Sequence, residues 1–457
     1  MHRIEETVAR GMCIGCGGCS VVSKGKIPVT IGTHRLYQAD LRETPEAAVR
    51  AGSRVCPFSD ESPDEDTLVA ALDRSTPSYD PLLGKYISIW AGRVNDDEYL
   101  AGSSSGGLTS WLLTELINRG IVDAIINVGR PGPTQQELLG YGWTDSGSDP
   151  TRRKSHYYAA TMAEVIPQAM STDARYALVG VPCFIKAARA LCLEMPELND
   201  RLTVFVGLVC GHYKTQAWAE SLAWQLGIRP NELADIDFRI KQPGRPSNEY
   251  LLGARRHGEP EWRMAPTSQL IGGNWGHSAF QPEACNFCDD VVAEAADVSF
   301  GDAWLPEFTR ESRGTNIVVS REPTIDLILQ SGAETASITL HSLDPRAAVR
   351  SQAGGFRQRR QGLAVRLADD IQAGLSVPKK RVAPNVKAVS KRRARLLRQR
   401  RSMAAGSHRQ FTEASINGDL NLYLGWMNRQ IRRYERIETS LLRKALRIVR
   451  TIFDGLF

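Results

Sequence analysis

Tyr176-Ala177-Leu178-Val179-Gly180-Val181-Pro182-Cys183 is a short apolar run closed by glycine, proline and cysteine. Such a run, bounded by turn formers, reads as a strand buried on both faces. Phe184 to Leu193 then reads as a helix, and Leu202–Cys210 (LTVFVGLVC) repeats the design, ending in cysteine before Gly211-His212. Strand, helix, strand predicts two parallel neighbours in an α/β sheet. Both thiols then stand at the carboxyl edge of that sheet, where open α/β proteins bind ligands.

Upstream, Tyr86–Val94 alternates as a strand, and Ile121–Val128 (IVDAIINV) reads as another buried strand. Between them, Gly102-Ser103-Ser104-Ser105-Gly106-Gly107 opens directly into a helix at Leu108–Ile117, which Gly120 stops. A glycine–serine loop at a helix N-terminus offers amides and hydroxyls to a phosphate; it also serves as a plain turn with a serine cap. Downstream, Ala296–Trp304 is a further strand with a sharp end.

The cysteines carry the chemistry. Cys13-Ile14-Gly15-Cys16-Gly17-Gly18-Cys19 points three thiols into one small volume, and Cys56-Pro57 supplies a fourth from a distance. This spacing is the ligand grammar of a bacterial-type 4Fe-4S cluster. Zinc sites usually pair two Cys-x2-Cys hooks or include histidine, and neither feature is present here. Gly15, Gly17 and Gly18 suit the unusual backbone angles of such a hook. Cys183, Cys210, Cys285 and Cys288 form a second candidate set; Cys192 is left over. On spacing alone this set is either a second cluster or two core cysteines beside a zinc hook or redox pair.

The chain has 457 residues, nine cysteines and a net charge of +6. That length supports two or three domains, and nine cysteines without a secretion signal predict metal ligation in a reducing, cytoplasmic setting. No run of about 18 apolar residues predicts a membrane span. From Lys379 onward there are 20 Lys/Arg against 5 Asp/Glu, a net of +15, leaving −9 for residues 1–378. Arg357–Arg360, Lys379–Arg381 and Lys391–Arg401 hold the basic runs, and Asn421–Phe457 reads as an amphipathic helix with Leu441, Leu442, Ala445, Ile448, Val449 and Ile452 on one side. A basic tail on an acidic body predicts an acidic partner: an anionic membrane surface, a protein, or the body itself if the tail packs as a helical hairpin. Nucleic acid is not expected, since no nucleic-acid-binding fold accompanies the charge.

CIGCGGC with CP, GSSSGGLTSWLLTELINRGIVDAIINVG, ALVGVPCFIKAARAL, VGLVCGHY, CNFCDDVVAEAADVSFGDAW and GTNIVV occur in that order over about residues 10–320. Together they resemble the family of coenzyme F-420 hydrogenase/dehydrogenase beta subunits, which are iron–sulfur flavoproteins. The resemblance implies FAD in the α/β body, contacted by Ser103, Ser104, Ser105, Gly106 and Gly107. It implies a cation near the flavin, for which Lys186 and Arg189 are candidates. It favours the second cluster, and a deazaflavin or another conjugated molecule as acceptor. The segment Lys154–Ala160 follows the family pattern only loosely, and the basic tail lies outside it.

The expected architecture is a mixed α/β (α+β) core with an N-terminal ferredoxin-like 4Fe-4S segment and a basic helical tail. Its parts are residues 1–80, the two core portions 85–168 and 169–345, and the tail 346–457. The expected function is electron transfer between the Cys13/Cys16/Cys19/Cys56 cluster, the Cys183/Cys210/Cys285/Cys288 cluster and FAD, with hydride passing to or from the acceptor. A ferredoxin or a hydrogenase/dehydrogenase subunit is the expected electron partner. The tail is expected either to hold the protein peripherally at the inner membrane surface or to pack on the body. No acid–base triad is visible; His156 and His212 are the nearest proton donors, each read first as structural. The rival readings are a non-catalytic electron carrier and a partner-recruiting scaffold, the latter linked to surface-polysaccharide production.

Overall fold

A computed structural model describes residues 1–72, 77–130, 138–147 and 149–439. Its centre is one eight-stranded sheet: β1 (Ser88–Val94), β2 (Ala124–Gly129), β3 (Gly140–Thr144), β4 (Tyr176–Gly180), β5 (Leu202–Leu208), β6 (Val298–Asp302), β7 (Asn316–Ser320) and β8 (Ile338–Ser342). The spatial order is β8-β1-β7-β6-β5-β4-β2-β3. The central strands β2, β4, β5 and β6 run parallel, and the outer strands pair antiparallel. β4 is buried along its whole length, as a parallel strand covered on both faces must be.

Helices α5 (Leu108–Asn118) and α8 (Pro323–Glu334) cover one face, packing Leu112, Trp111 and Ile328 on Ala177, Val179 and Val206. Helix α6 (Pro182–Glu194) covers the other, with Pro182 at its first turn, where a missing N–H costs nothing. Its Phe184, Ile185 and Leu191 share a core with Leu178 and Phe205 of the sheet, and with Met12, Ile14 and Val55 of the N-terminal segment. Truncating a fully buried member such as Leu178 to alanine would cost about 2–5 kcal/mol. The N-terminal segment is therefore seated on α6. It comprises α1 (Ile4–Ala9), α2 (Gly18–Val22), a small hairpin, α3 (Glu46–Val55) and α4 (Glu65–Ala71).

After β5, helix α7 (Gln216–Gln225) leads to a three-stranded sheet over Leu233–Ile240, Leu251–Arg256 and Arg263–Pro266. The C-terminal segment packs over all of this. Phe356 of α9 (Ala353–Arg359) lies against Val291 and Val292, and Leu363 and Leu367 of α10 (Gln361–Gln372) join the core around α6. Helices α11 (Lys391–Asn417) and α12 (Leu420–Glu438) form a hairpin turned at Gly418, whose φ is 65°. Met403, Phe411, Tyr423 and Met427 of the hairpin pack on Trp218, Phe238 and Phe280.

The segment from Lys379 onward, hairpin included, sets its charge against the chain's own acids. Arg381 meets Glu294 at 2.8 Å and Asp66 at 3.3 Å, Lys380 meets Asp289 at 3.6 Å, and Arg398 meets Asp369 at 2.7 Å. Arg401 pairs with Glu283 and Asp370. Much of the acidic partner predicted for the tail is thus the body itself. The apolar residues between Leu441 and Ile452 lie outside the described residues. No helix among the described residues is long and apolar enough to cross a membrane.

Candidate cofactor site

The N-terminal hook folds as its glycines require. Gly15 and Gly17 have φ of 66° and 89°. A Cβ on Gly15 would fall 2.3 Å from Tyr37 Cβ, and one on Gly17 would fall 2.4 Å from the amide nitrogen of Ala163. Cys19 sits in the first turn of α2 and Cys56 caps the C-terminus of α3. Cys13, Cys16, Cys19 and Cys56 line one cavity, otherwise walled by apolar residues such as Ile4, Met12, Ile14 and Phe58. The amide of Ala39 donates to Cys13 Sγ at 3.3 Å. Burial pushes all four thiols up, Cys56 to about 11, and their mutual repulsion adds to this for Cys16, Cys19 and Cys56. Four inward-facing thiols that resist ionisation as bare cysteines are a donor set suited to a cationic iron core, which would hold them as thiolates.

The second set comes from three separate places. Cys183 is in the first turn of α6, Cys210 follows β5, and Cys285 and Cys288 lie in the loop before β6. The topology brings them together: burial raises the Cys183 thiol, and Cys288, Cys210 and Cys285 raise it further, followed by Cys16 of the first set. Burial likewise lifts Cys210 to about 11 and Cys285 to about 12. The Tyr213 amide donates to Cys285 Sγ at 3.3 Å, and Arg359 Nε donates to Cys288 Sγ at 3.3 Å. Cys192 stays apart, buried in the core beneath α6. Among the described residues no three His, Cys, Asp or Glu stand close enough to hold a single metal ion. A four-iron cube is wider than one ion and keeps its thiolates further apart.

A cleft of about 610 Å³ opens at the carboxyl ends of β4, β5 and β6. Gly180, at the end of β4, carries no side chain where the cleft begins. Cys210 lies in its wall. One part is polar and basic, with Ser105, Thr109, Arg152, Arg153 and Lys154. Another is aromatic, with Tyr157, Tyr250, Trp275 and Trp304. Arg239 stands there, held by Asp302 at 2.8 and 3.0 Å. His156 is neutral at pH 7, since burial pulls it down to about 4; His212 is held well below its usual range by burial and the cations Lys214 and Arg400.

Of the glycine–serine loop, Ser105 alone lines the cleft. Ser103 donates to the Tyr99 carbonyl at 2.9 Å, and Ser104 accepts the Ser155 amide at 2.9 Å. Gly106 is pressed against Gly92 and Asn316, and Gly107 caps α5 with φ of 76°. Ser103 and Ser104 thus hold neighbouring backbone, and Ser105 is the serine that faces the cleft. Lys186 lies elsewhere, buried 3.4 Å from Glu65 of α4, and Arg189 pairs with Asp297 at 2.7 Å. The cleft's cations are Arg152, Arg153, Lys154, Lys214, Arg239 and Arg400. The run Arg152-Arg153-Lys154, just ahead of a tyrosine pair, was the available signal.

Residues 89–167 match the N-terminal region, and residues 173–346 the C-terminal region, of the coenzyme F420 hydrogenase/dehydrogenase beta subunit. The chain belongs to this family. Family members similar to it include an F(420)H(2) dehydrogenase subunit of Methanosarcina mazei, 26% identical over 328 residues, which span 68% of this chain and 83% of that protein. The beta subunit of coenzyme F420 hydrogenase from Methanosarcina barkeri is 24% identical over 265 residues, covering 52% of this chain and 79% of its own. In the solved F420-reducing [NiFe] hydrogenase complex of M. barkeri, one chain aligns with a TM-score of 0.49 and 16% identity, over 66% of this chain and 98% of its own. The family assignment makes the chain an oxidoreductase of the beta-subunit type. Residues 347–457 lie beyond both family regions.

Proposed function

We propose that the chain is an electron-transferring oxidoreductase subunit that links two 4Fe-4S clusters to FAD, and through it to a deazaflavin such as coenzyme F420 or a similar conjugated acceptor. Cys13, Cys16, Cys19 and Cys56 would hold the first cluster; Cys183, Cys210, Cys285 and Cys288 would hold the second. The flavin, when bound, would supply the exchange between one-electron and two-electron chemistry.

The observation that carries this reading is the position of Cys210: it belongs to the second thiol set and to the wall of the cleft. The cleft's volume falls in the range of cofactor sites. Arg153 suits a diphosphate, because its Nε has no partner among the described residues while its guanidinium rests on the Tyr99 ring at 4.5 Å. Lys154 beside it adds a second charge, shared with Asp237 at 3.1 Å. Tyr157, Tyr250, Trp275 and Trp304 offer flat apolar faces to fused rings. Arg239, fixed by Asp302, presents a positive charge to whatever lies against those faces. The names of the relatives support F420 as the acceptor and a hydrogenase or dehydrogenase subunit as the electron partner; a ferredoxin is a further candidate donor.

Anaerobic purification tests the proposal. Flavin, about eight irons per chain and oxidation of a reduced deazaflavin are expected. Iron without flavin would leave the carrier reading alone.

A further inference from the structure

Three buried cations, Arg359, Arg366 and Lys214, and the partly buried Arg400 stand around the second cysteine set and its cleft, and none forms an ion pair with a carboxylate among the described residues. Arg359 donates to Cys288 Sγ at 3.3 Å and to the Gly211 carbonyl at 2.7 Å. Arg366 donates to the carbonyls of Asn286, at 2.7 Å, and Gln358, at 2.8 Å. Asn286 lies between the two hook cysteines. Lys214 reaches the Ala279 carbonyl and sits 5.0 Å from the Trp275 ring centre. Arg400 holds Ser278 Oγ at 2.9 Å and lines the cleft. The carboxylates nearest the hook are engaged elsewhere: Asp289 with Lys380 and Arg381, Glu294 with Arg381, Glu283 with Arg401, and Asp290 with the amides of Val292 and Glu294.

Buried charge without a counter-ion is strongly unfavourable. The cysteines as bare thiols do not supply one. A cluster held by four thiolates does, because it is anionic in both redox states and gains a further negative charge on reduction. Three of the four cations, Arg359, Arg366 and Arg400, come from beyond residue 346, outside the family regions.

We propose that the C-terminal segment is an electrostatic cap for the second cluster, with Arg359 as the positioning residue that raises its reduction potential above that of the first. This rests on the two-cluster reading above. An N–H donor on a ligand sulfur and a fixed positive charge both favour the reduced state. The first set has an N–H donor of its own, from Ala39 to Cys13 Sγ, but among the described residues no cation lines its cavity, which is walled by Ile4, Val8, Met12, Ile14, Val29 and Phe58. Electrons then run downhill from the N-terminal cluster to the one beside the cleft.

The test is a potentiometric titration of the anaerobic full-length protein, followed by electron paramagnetic resonance. The unmodified chain should show two one-electron components. Arg359→Gln should move the higher one down by about tenfold in its equilibrium, about 59 mV for one electron, and leave the lower unmoved. Arg359→Lys should recover part of the shift. Two unmoved components, or two components moved equally, with iron content intact, would overturn the proposal. Should Arg359→Gln lose half its iron, Arg366→Gln, which keeps the N–H to sulfur contact, must lower the same component; no shift there overturns it. An unmodified chain holding only about four irons would instead sink the two-cluster reading itself, and the cap with it.

Discussion

The backbone amide of Tyr213 aims at the sulfur of Cys285 from 3.3 Å. The same residue's hydroxyl donates to the Tyr158 carbonyl at 3.0 Å and accepts the Ala160 amide at 2.9 Å. Tyr213 therefore couples a sulfur of the second set to the strand of chain that forms the cleft wall. Tyr213→Phe keeps the amide and removes the hydroxyl. Leaving two buried backbone groups unpaired should cost about 1–3 kcal/mol. A thermal melt should show the loss, while iron content stays at the unmodified level.

Gly17→Ala combines a left-handed backbone with a contact that cannot form: the new Cβ would lie 2.4 Å from the Ala163 nitrogen. The backbone term alone is about 1–2 kcal/mol. The segment must shift, and Cys16 and Cys19 move with it. Iron per chain should fall by about four, with the second cluster's spectrum unchanged. Full iron content in this variant would contradict the placement of the hook.

Hairpin docking should depend on acid through Asp370. Burial alone would raise this carboxyl, but hydrogen bonds from Arg401 and Arg10 outweigh it, and the folded group titrates below its ordinary value. A depressed carboxyl adds stability above the unfolded value, about 3.9, and loses it as pH falls through the folded value. Melting temperature should therefore fall below about pH 4 and hold steady on this account between about pH 6 and 8. Asp370→Asn should cost about 1–3 kcal/mol at neutral pH and flatten the acid slope.

The basic part of the cleft should decide flavin retention. Neutralising Arg153 and Lys154 together, as R153Q/K154Q, removes two charge-assisted contacts worth about 1.5–3 kcal/mol each. Flavin dissociation should rise by at least about tenfold, read by equilibrium dialysis, with iron unchanged. Lys186→Gln, at a site facing Glu65, should leave flavin affinity as it was.

Much of this was legible in the chain. The apolar runs at Tyr176 and Leu202 became adjacent parallel strands, because strands closed by glycine and proline have few alternatives. The first hook's thiols lie together as their spacing implied, whereas spacing left the second set open and only the fold shows its thiols as neighbours. The placement of Lys186 was not legible: proximity to Cys183 in sequence says nothing about which side of α6 a residue occupies, and Lys186 turns toward α4. Which serine of the loop faces the cleft was not legible for a related reason: Ser103 and Ser104 bond local backbone groups, and Ser105 lines the cleft. The tail's charge was visible, but its partners, Asp289, Glu294 and Asp370, are far away in sequence and are met only through the fold.

The most direct measurement is cofactor content with spectroscopy on chain purified without oxygen. About eight irons and one flavin per chain are expected, falling to about four irons with flavin retained or weakened when Cys210 is replaced by serine. Eight irons that survive Cys210→Ser, or a protein whose cleft never holds flavin, would contradict the assignment of the second thiol set to a cluster beside the flavin.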